Sequence, residues 1–203
     1  MDKASKFFMD NKPSFILGAM SINQFPKESG LKEFAFIGKS NVGKSSLINA
    51  ITNSQIAKTS KTPGRTREIN FFSLNNKAVF VDMPGYGFAL AKENEKYTWR
   101  ELIYNYLKSR KSLKRLYLLI DSRRGLSIND FDFCDMLDEL GVAYQIILTK
   151  VDTINKQEYE KVFNTVVEQS KLHKSMVKEV LFASVSKKYG IKEIRNTIYD
   201  LTK

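Results

Sequence analysis

The chain has 203 residues, 42% hydrophobic and 27% charged, with 33 Lys and Arg against 22 Asp and Glu for a net charge of +11. That length suits one core, and no apolar run approaches the roughly 18 residues that cross a bilayer, so a soluble, cytoplasmic protein without a membrane span or a large second module is expected. The one cysteine, Cys134, excludes an internal disulfide and a cysteine-rich metal site, while the positive excess fits either a polyanionic partner, nucleic acid first, or a solvated basic surface.

Residues 1–30 mix acid and base around the breakers Pro13, Gly18, Pro26 and Gly30, which predicts an N-terminal arm with a short helix or an edge strand, ahead of the main domain at 31–203. The arm lacks the basic-then-apolar order of a secretion signal. KEFAFI, residues 32–37, reads as a buried strand, and from Lys44 to Thr52 the side chains of Leu47, Ile48 and Ile51 share one helical face. AKTSKTPGRTRE, residues 57–68, centres on Pro63-Gly64 and holds almost nothing apolar, so a loop is expected. INFFSL and KAVFVD flank Asn75-Asn76 as a hairpin. MPGYGFALAKENEK is a second glycine-containing loop leading into a helix with Trp99, Leu102, Ile103, Tyr106 and Leu107. Then come a strand at 114–121, a helix with Phe131, Cys134, Leu137 and Leu140, and a strand at 143–150. A helix over about 156–173, a strand near 179–184 and a helix from Ile191 to Leu201 complete the alternation. Ile-, Leu- and Phe-rich strands alternating with amphipathic helices predict an α/β fold of three layers, its sheet mainly parallel with one antiparallel strand. Cys134 reads as a buried thiol, and His173, in the polar stretch VEQSKLHKSMVKE, as a solvated helix residue.

GKSNVGKS, residues 38–45, matches G-x-x-x-x-G-K-[ST] between a strand and a helix. Gly38 and Gly43 let the backbone of Lys39, Ser40, Asn41 and Val42 close around phosphate oxygens, and the helix N-terminus adds its dipole. Lys44 supplies a fixed positive charge at the β and γ phosphates, and the Ser45 hydroxyl can ligate Mg²⁺. A tight strand-to-helix turn is the alternative. VFVDMPGYG ends a strand at Asp82, where a carboxylate holds Mg²⁺ through water, and continues through Met83 and Pro84 to Gly85, whose N–H can meet a γ phosphate. Thr149, Lys150, Val151 and Asp152 cap the run YQIIL and select a base, because a carboxylate accepts from guanine N1–H and the 2-amino group while adenine offers neither donor. A site built around such hydrogen bonds discriminates by about 10⁴. Lys150 would lay its methylenes along the purine; alternatively, Asp152 caps the next helix. FASVSKKYGI, residues 182–191, offers a main-chain N–H around Ala183, Ser184 and Val185 to guanine O6.

With these elements in this order the chain resembles a small GTPase, and GKSNVGKSSLIN, SKTPGRTREINFF and DMPGYGFA make it similar to the EngB family of bacterial GTPases from about residue 15 onward. The resemblance implies a Ras-like P-loop GTPase domain that binds Mg²⁺ with GTP or GDP and hydrolyses GTP. It also implies assistance to large ribosomal subunit assembly, through rRNA and ribosomal protein, and a need for the protein in normal cell division and septation. A monomer is expected. The resemblance makes Thr66 the switch threonine that closes onto Mg²⁺ and acts with Lys44 and Gly85, and sets Gly64, Arg65, Arg67 and Glu68 near the nucleotide; the residues alone leave Thr59, Thr62 and Thr66 open. Asn41 resembles the phosphate-loop asparagine that binds K⁺ in related GTPases, the alternative being a loop-stabilising role. Lys58, Lys61, Arg65 and Arg67 flank the first switch, as RNA contacts or as solvated charge.

Two departures stand out. Thr149 occupies the position of an Asn in many GTPases, and one extra residue before Gly190 leaves Ser184 and Val185 both open as the donor to O6. Tyr86 stands where a Ras-type enzyme has a water-orienting Gln, which predicts slow turnover raised by K⁺ or by a ribosomal partner. The competing functions are a phosphotransferase acting on a small metabolite and a nucleotide-gated binding module with negligible turnover.

Overall fold

The computed structural model describes residues 2–58, 68–86 and 93–203, without the side chains of 93–99. Within them run α1 (Lys3–Asp10), β1 (Pro13–Ala19), β2 (Glu33–Gly38), α2 (Lys44–Thr52), β3 (Ile69–Leu74), β4 (Ala78–Asp82) and α3 (Glu93–Ser109). They are followed by β5 (Leu113–Asp121), α4 (Ile128–Glu139), β6 (Tyr144–Thr149), α5 (Lys156–Leu172), β7 (Leu181–Ala183) and α6 (Ile191–Thr202). The strands form one sheet in the order β1-β3-β4-β2-β5-β6-β7. β3 pairs antiparallel with both β1 and β4, and the other neighbours pair in parallel, so β3 alone runs against the rest, as the hairpin requires.

Period-two alternation divides the core. Phe34 and Phe36 of β2 face the layer of α1, α2 and α6, packing with Phe80, Tyr117, Leu119, Leu47, Ile51, Phe8 and Ile194. Ala35 and Ile37 face the layer of α3, α4 and α5, with Val81, Leu118, Ile146, Tyr106, Leu137 and Val166. Every residue of β2 and β6 is buried, which is the state of a central parallel strand covered on both sides. Burying a side chain such as Phe36 or Ile37 contributes about 2–3 kcal/mol before the entropy of ordering it.

The β3–β4 turn explains its own sequence. Asn75 and Asn76 have φ of 44° and 55°, and the Lys77 N–H donates to the Leu74 carbonyl at 2.8 Å. This is the primed turn whose twist suits a hairpin, and asparagine tolerates its left-handed backbone. The first thirty residues hold a helix and a strand together: β1 extends the sheet beyond β3, and α1 sets Phe7 against Tyr199 of α6, with ring centroids 5.5 Å apart.

One side chain differs from expectation. His173 is 9% exposed rather than solvated; it caps the C-terminus of α5, and its Nδ1 lies 2.8 Å from Asp138 Oδ2 of α4. The end of α5 docks on α4, so a polar stretch is buried by a neighbour that local sequence does not announce. In α4 the buried aromatic is Phe133, with Phe131 half-buried. Cys134 is buried as expected, and burial pushes its thiol up to about 12. Among the described residues no helix is long and apolar enough to cross a membrane.

Candidate nucleotide-binding site

The motif residues gather where β2, β4, β5, β6 and β7 end, the edge of a parallel sheet at which ligands bind. The loop after β2 is held close to β5, because a Cβ on Gly38 would stand 2.7 Å from the Leu119 carbonyl and 2.9 Å from Val42 Cγ1. Asn41 (φ 62°) and Gly43 (φ 100°) take left-handed backbone, and the Val42 N–H donates to the Lys39 carbonyl at 3.1 Å, curling the segment ahead of α2. The far end of α2 is anchored by Arg195 of α6, which donates to the Ile51 and Ala50 carbonyls at 2.8 and 3.0 Å and so satisfies groups that a helix end leaves open. Asn49 clamps Ala57 in both directions, at 2.9 and 2.8 Å, fixing the entry to the first loop.

Lys44 forms an ion pair with Asp82, whose side chain is 5% exposed at the end of β4. The Met83 N–H donates to the Phe36 carbonyl at 3.0 Å and carries the β4 ladder into Pro84 and Gly85. Gly85 lies on the phosphate loop: a Cβ there would stand 3.0 Å from the Gly38 carbonyl and 3.2 Å from the Ser40 nitrogen. Gly38 and Gly85 thus leave no room for side chains at this loop, the kind of close backbone approach that phosphate-binding loops use. The Ser45 hydroxyl at the start of α2 and the Asp82 carboxylate at the end of β4 are oxygen donors, the ligand type that suits Mg²⁺.

Tyr86 turns inward. It is 6% exposed, its ring stacks on Phe133 at 4.8 Å and 5°, and its hydroxyl donates to Asp130 Oδ1 at 2.7 Å. Burial, then the nearby Asp130 charge, raises the phenol well above its usual 10.0. Asp130 is 1% exposed and pairs with Lys39 at 2.9 Å. Burial pushes its carboxyl up, but hydrogen bonds from Ser127, Tyr86 and Lys39 outweigh this and hold it below 3.8. Reading motifs passed over Asp130, although Ser127 and Asp130 make a capping-box pattern at the start of α4.

At the base end, the Thr149 hydroxyl donates to the Val42 carbonyl at 2.8 Å, so the residue that departs from Asn ties the end of β6 to the phosphate loop. Lys150 takes left-handed backbone (φ 58°), and its Nζ donates to the Asn41 carbonyl at 2.6 Å and to Asp121 at 2.8 Å. For Asp121, burial is outweighed by hydrogen bonds from Arg123 and Lys150, which bring its carboxyl down to about 2. Val151 and Asp152 lie in a single turn of 3₁₀ helix. Asp152 does not cap α5; Asn155 does, accepting the Glu158 N–H at 3.0 Å. Asp152 Oδ2 instead accepts the Ser186 hydroxyl at 2.8 Å, and the Ser184 and Ser186 side chains lower its carboxyl from 3.8. After Ala183 ends β7, the Ser184 N–H donates to the Tyr189 carbonyl at 3.0 Å, which engages that amide within the loop ahead of Val185. Gly190, at φ 75°, lies so close to Phe182 that an added Cβ would collide with its carbonyl.

Gly64, Arg65, Thr66 and Arg67, with Thr59, Lys61 and Thr62, lie outside the described residues, and so does the Trp99 side chain. Glu68 sets its carboxylate over Gly18 of β1.

Fold and site together define a P-loop GTPase: a mainly parallel sheet between helical layers, with a glycine-rich strand-to-helix loop at its C-terminal edge. A family model described as 50S ribosome-binding GTPase matches residues 33–150. A probable GTP-binding protein EngB of Bartonella tribocorum is 46% identical over 196 residues, 91% of this chain and 90% of its own length. Another, of Rhodospirillum rubrum, is 42% identical over 199 residues, 95% of this chain and 86% of its own. Among solved structures, a probable GTP-binding protein engB matches with a TM-score of 0.66 at 25% identity, covering 84% of this chain and 98% of its own. The chain belongs to the EngB family of GTP-binding proteins.

Proposed function

We propose that this chain is a cytoplasmic, monomeric switch that binds GTP with Mg²⁺, hydrolyses it slowly, and assists assembly of the large ribosomal subunit, with cell division and septation depending on that work. The guanine reading is carried by Asp152: it is released from helix capping, oriented by Ser186, and lies at the sheet edge that holds the phosphate loop. Its carboxylate accepts from the guanine N1–H and 2-amino group, Lys150 lies along the purine, and Val185, following an amide already engaged, donates to O6.

Hydrolysis is in-line attack of water on the γ phosphate. Lys44 and the amides from Gly38 to Ser45 stabilise the spreading charge, the Gly85 N–H meets the γ phosphate, and Thr66 closes the first switch. Ser45, Thr66 and, through water, Asp82 would hold Mg²⁺, which would supply further positive charge against the charge developing on the phosphates. Tyr86 faces Asp130 and Phe133 rather than orienting water, which agrees with slow intrinsic turnover. K⁺ at Asn41, or the ribosomal partner, raises it. The ribosomal reading draws on the matched family description and on the charge of +11, with Lys58, Lys61, Arg65 and Arg67 beside the first switch as contacts to rRNA.

Calorimetry tests the base: GTP binds and ATP does not, and Asp152→Asn weakens GTP by on the order of a hundredfold or more while gaining xanthosine triphosphate. Equal ATP and GTP affinity overturns the reading. Sedimentation with large subunits tests the partner, with association expected to strengthen with a non-hydrolysable GTP analogue and to weaken with salt. Phosphate release measured in K⁺ and in Na⁺ tests the ion; a fast rate indifferent to both K⁺ and ribosomal particles overturns the switch mechanism.

A further inference from the structure

Two segments of the proposed nucleotide site meet, at the start of α4, on a carboxylate that belongs to none of the nucleotide motifs. Asp130 Oδ1 accepts the Tyr86 hydroxyl at 2.7 Å, and Tyr86 directly follows Gly85. Oδ2 accepts from Lys39 of the phosphate loop at 2.9 Å and from the Ser127 N–H and hydroxyl, each at 2.7 Å. Lys39 also reaches the Ser127 hydroxyl.

The ordinary role of such an aspartate is half of a capping box, and Oδ2 fills that role with Ser127. Capping a helix start needs neither burial nor the other contacts. Asp130 is 1% exposed, and a charge is costly to bury unless each oxygen is matched. Here the matching groups come from the two loops that touch one another at Gly85 and Ser40. The Tyr86 ring is fixed at both ends, its hydroxyl on Asp130 and its face on Phe133, and this fixes the peptide immediately before it. On the other side, a cavity of about 50 Å³ is lined by the phosphate loop, by the end of β5 with the turn after it and by Asp130, and the Lys39–Asp130 pair forms part of its wall.

We propose that Asp130 is a positioning residue for GTP hydrolysis, acting through Tyr86 on the Gly85 amide and through Lys39 on the phosphate loop. The inference rests on the GTPase reading above. A misplacement of about 1 Å at reacting groups costs on the order of a hundredfold in rate, so a softened anchor costs about tenfold or more.

The sharp variant is Tyr86→Phe, which keeps the ring on Phe133 and leaves Asp130 and Ser127 to cap α4. Single-turnover hydrolysis of GTP is expected to slow by about tenfold, with GDP affinity within about twofold of the unmodified protein. Asp130→Ala, which leaves neither Tyr86 nor Lys39 a partner, is expected to slow it at least as much, and adding Tyr86→Phe to Asp130→Ala to bring no further loss, because the hydroxyl then has no acceptor left to lose. An unchanged rate in Tyr86→Phe, while the unmodified protein hydrolyses GTP, overturns the proposal and leaves the GTPase reading standing. Losses that multiply in the double variant, or a slowed rate accompanied by an equal loss of GDP affinity, also overturn it. An unmodified protein that binds no GTP overturns both.

Discussion

Two buried carboxylates in this molecule have matching surroundings, a tyrosine hydroxyl at 2.7 Å and a cationic side chain, yet sit at opposite edges of the sheet. Glu33, at the start of β2, accepts from Tyr106 and from Arg110 of the segment closing α3, and Arg110 also donates to the Pro26 carbonyl at 2.7 Å. Asp130, beyond the end of β5, accepts from Tyr86 and Lys39. The first cluster joins a strand to a helix already packed by Tyr106, Phe25 and Phe71. The second joins two loops to the first turn of a helix. Similar chemistry holds a fixed framework at one edge and, on the proposal above, sets the spacing of reacting groups at the other.

The largest effect that tests this contrast is on stability. Arg110→Ala strips Glu33 of its cation inside the protein, and urea unfolding is expected to show a loss of about 3–5 kcal/mol, with GDP affinity of the folded fraction unchanged. Next come Tyr106→Phe and Tyr86→Phe, each removing one donor from a buried carboxylate at about 1–3 kcal/mol. Their stability losses should be similar, while hydrolysis slows only in Tyr86→Phe. Equal slowing in Tyr106→Phe breaks the contrast.

The smallest effect is in acid. Asp121 is depressed from 3.8 to about 2, so its stabilising contribution is whole above the ordinary carboxylate value and is lost as pH falls from about 4 through 2. Asp121→Asn should therefore flatten that part of the melting curve against pH, by less than about 1 kcal/mol because Arg123 is half exposed. Asp130 is also depressed and shares the sign, so the further decrease in slope when Asp130→Asn is added to Asp121→Asn measures its separate share.

What could be read from sequence was local. GKSNVGKS between an apolar run and a helical face, and Asn75-Asn76 between two strands, carry their geometry within a few residues, because left-handed backbone and helix starts depend on near neighbours. The missed features are long-range. Tyr86 and Asp130 are separated by 44 positions and His173 and Asp138 by 35, and no periodicity forecasts which polar side chains meet after the helices pack. Tyr86 was legible as a missing glutamine, but not as an anchor. Thr149 was legible as a departure, but its hydroxyl contact with Val42, 107 positions away, was not.

That contact has a consequence for measuring affinity. On the guanine reading proposed above, this hydroxyl lies on the purine side and the carbonyl it grips on the phosphate side, so the contact would tie the two halves of the pocket together. Swapping Thr149 for Val, which keeps the shape and loses the grip, should disturb recognition of inorganic tail and ring together. Fragments of the ligand measured separately will therefore understate what the intact molecule gains.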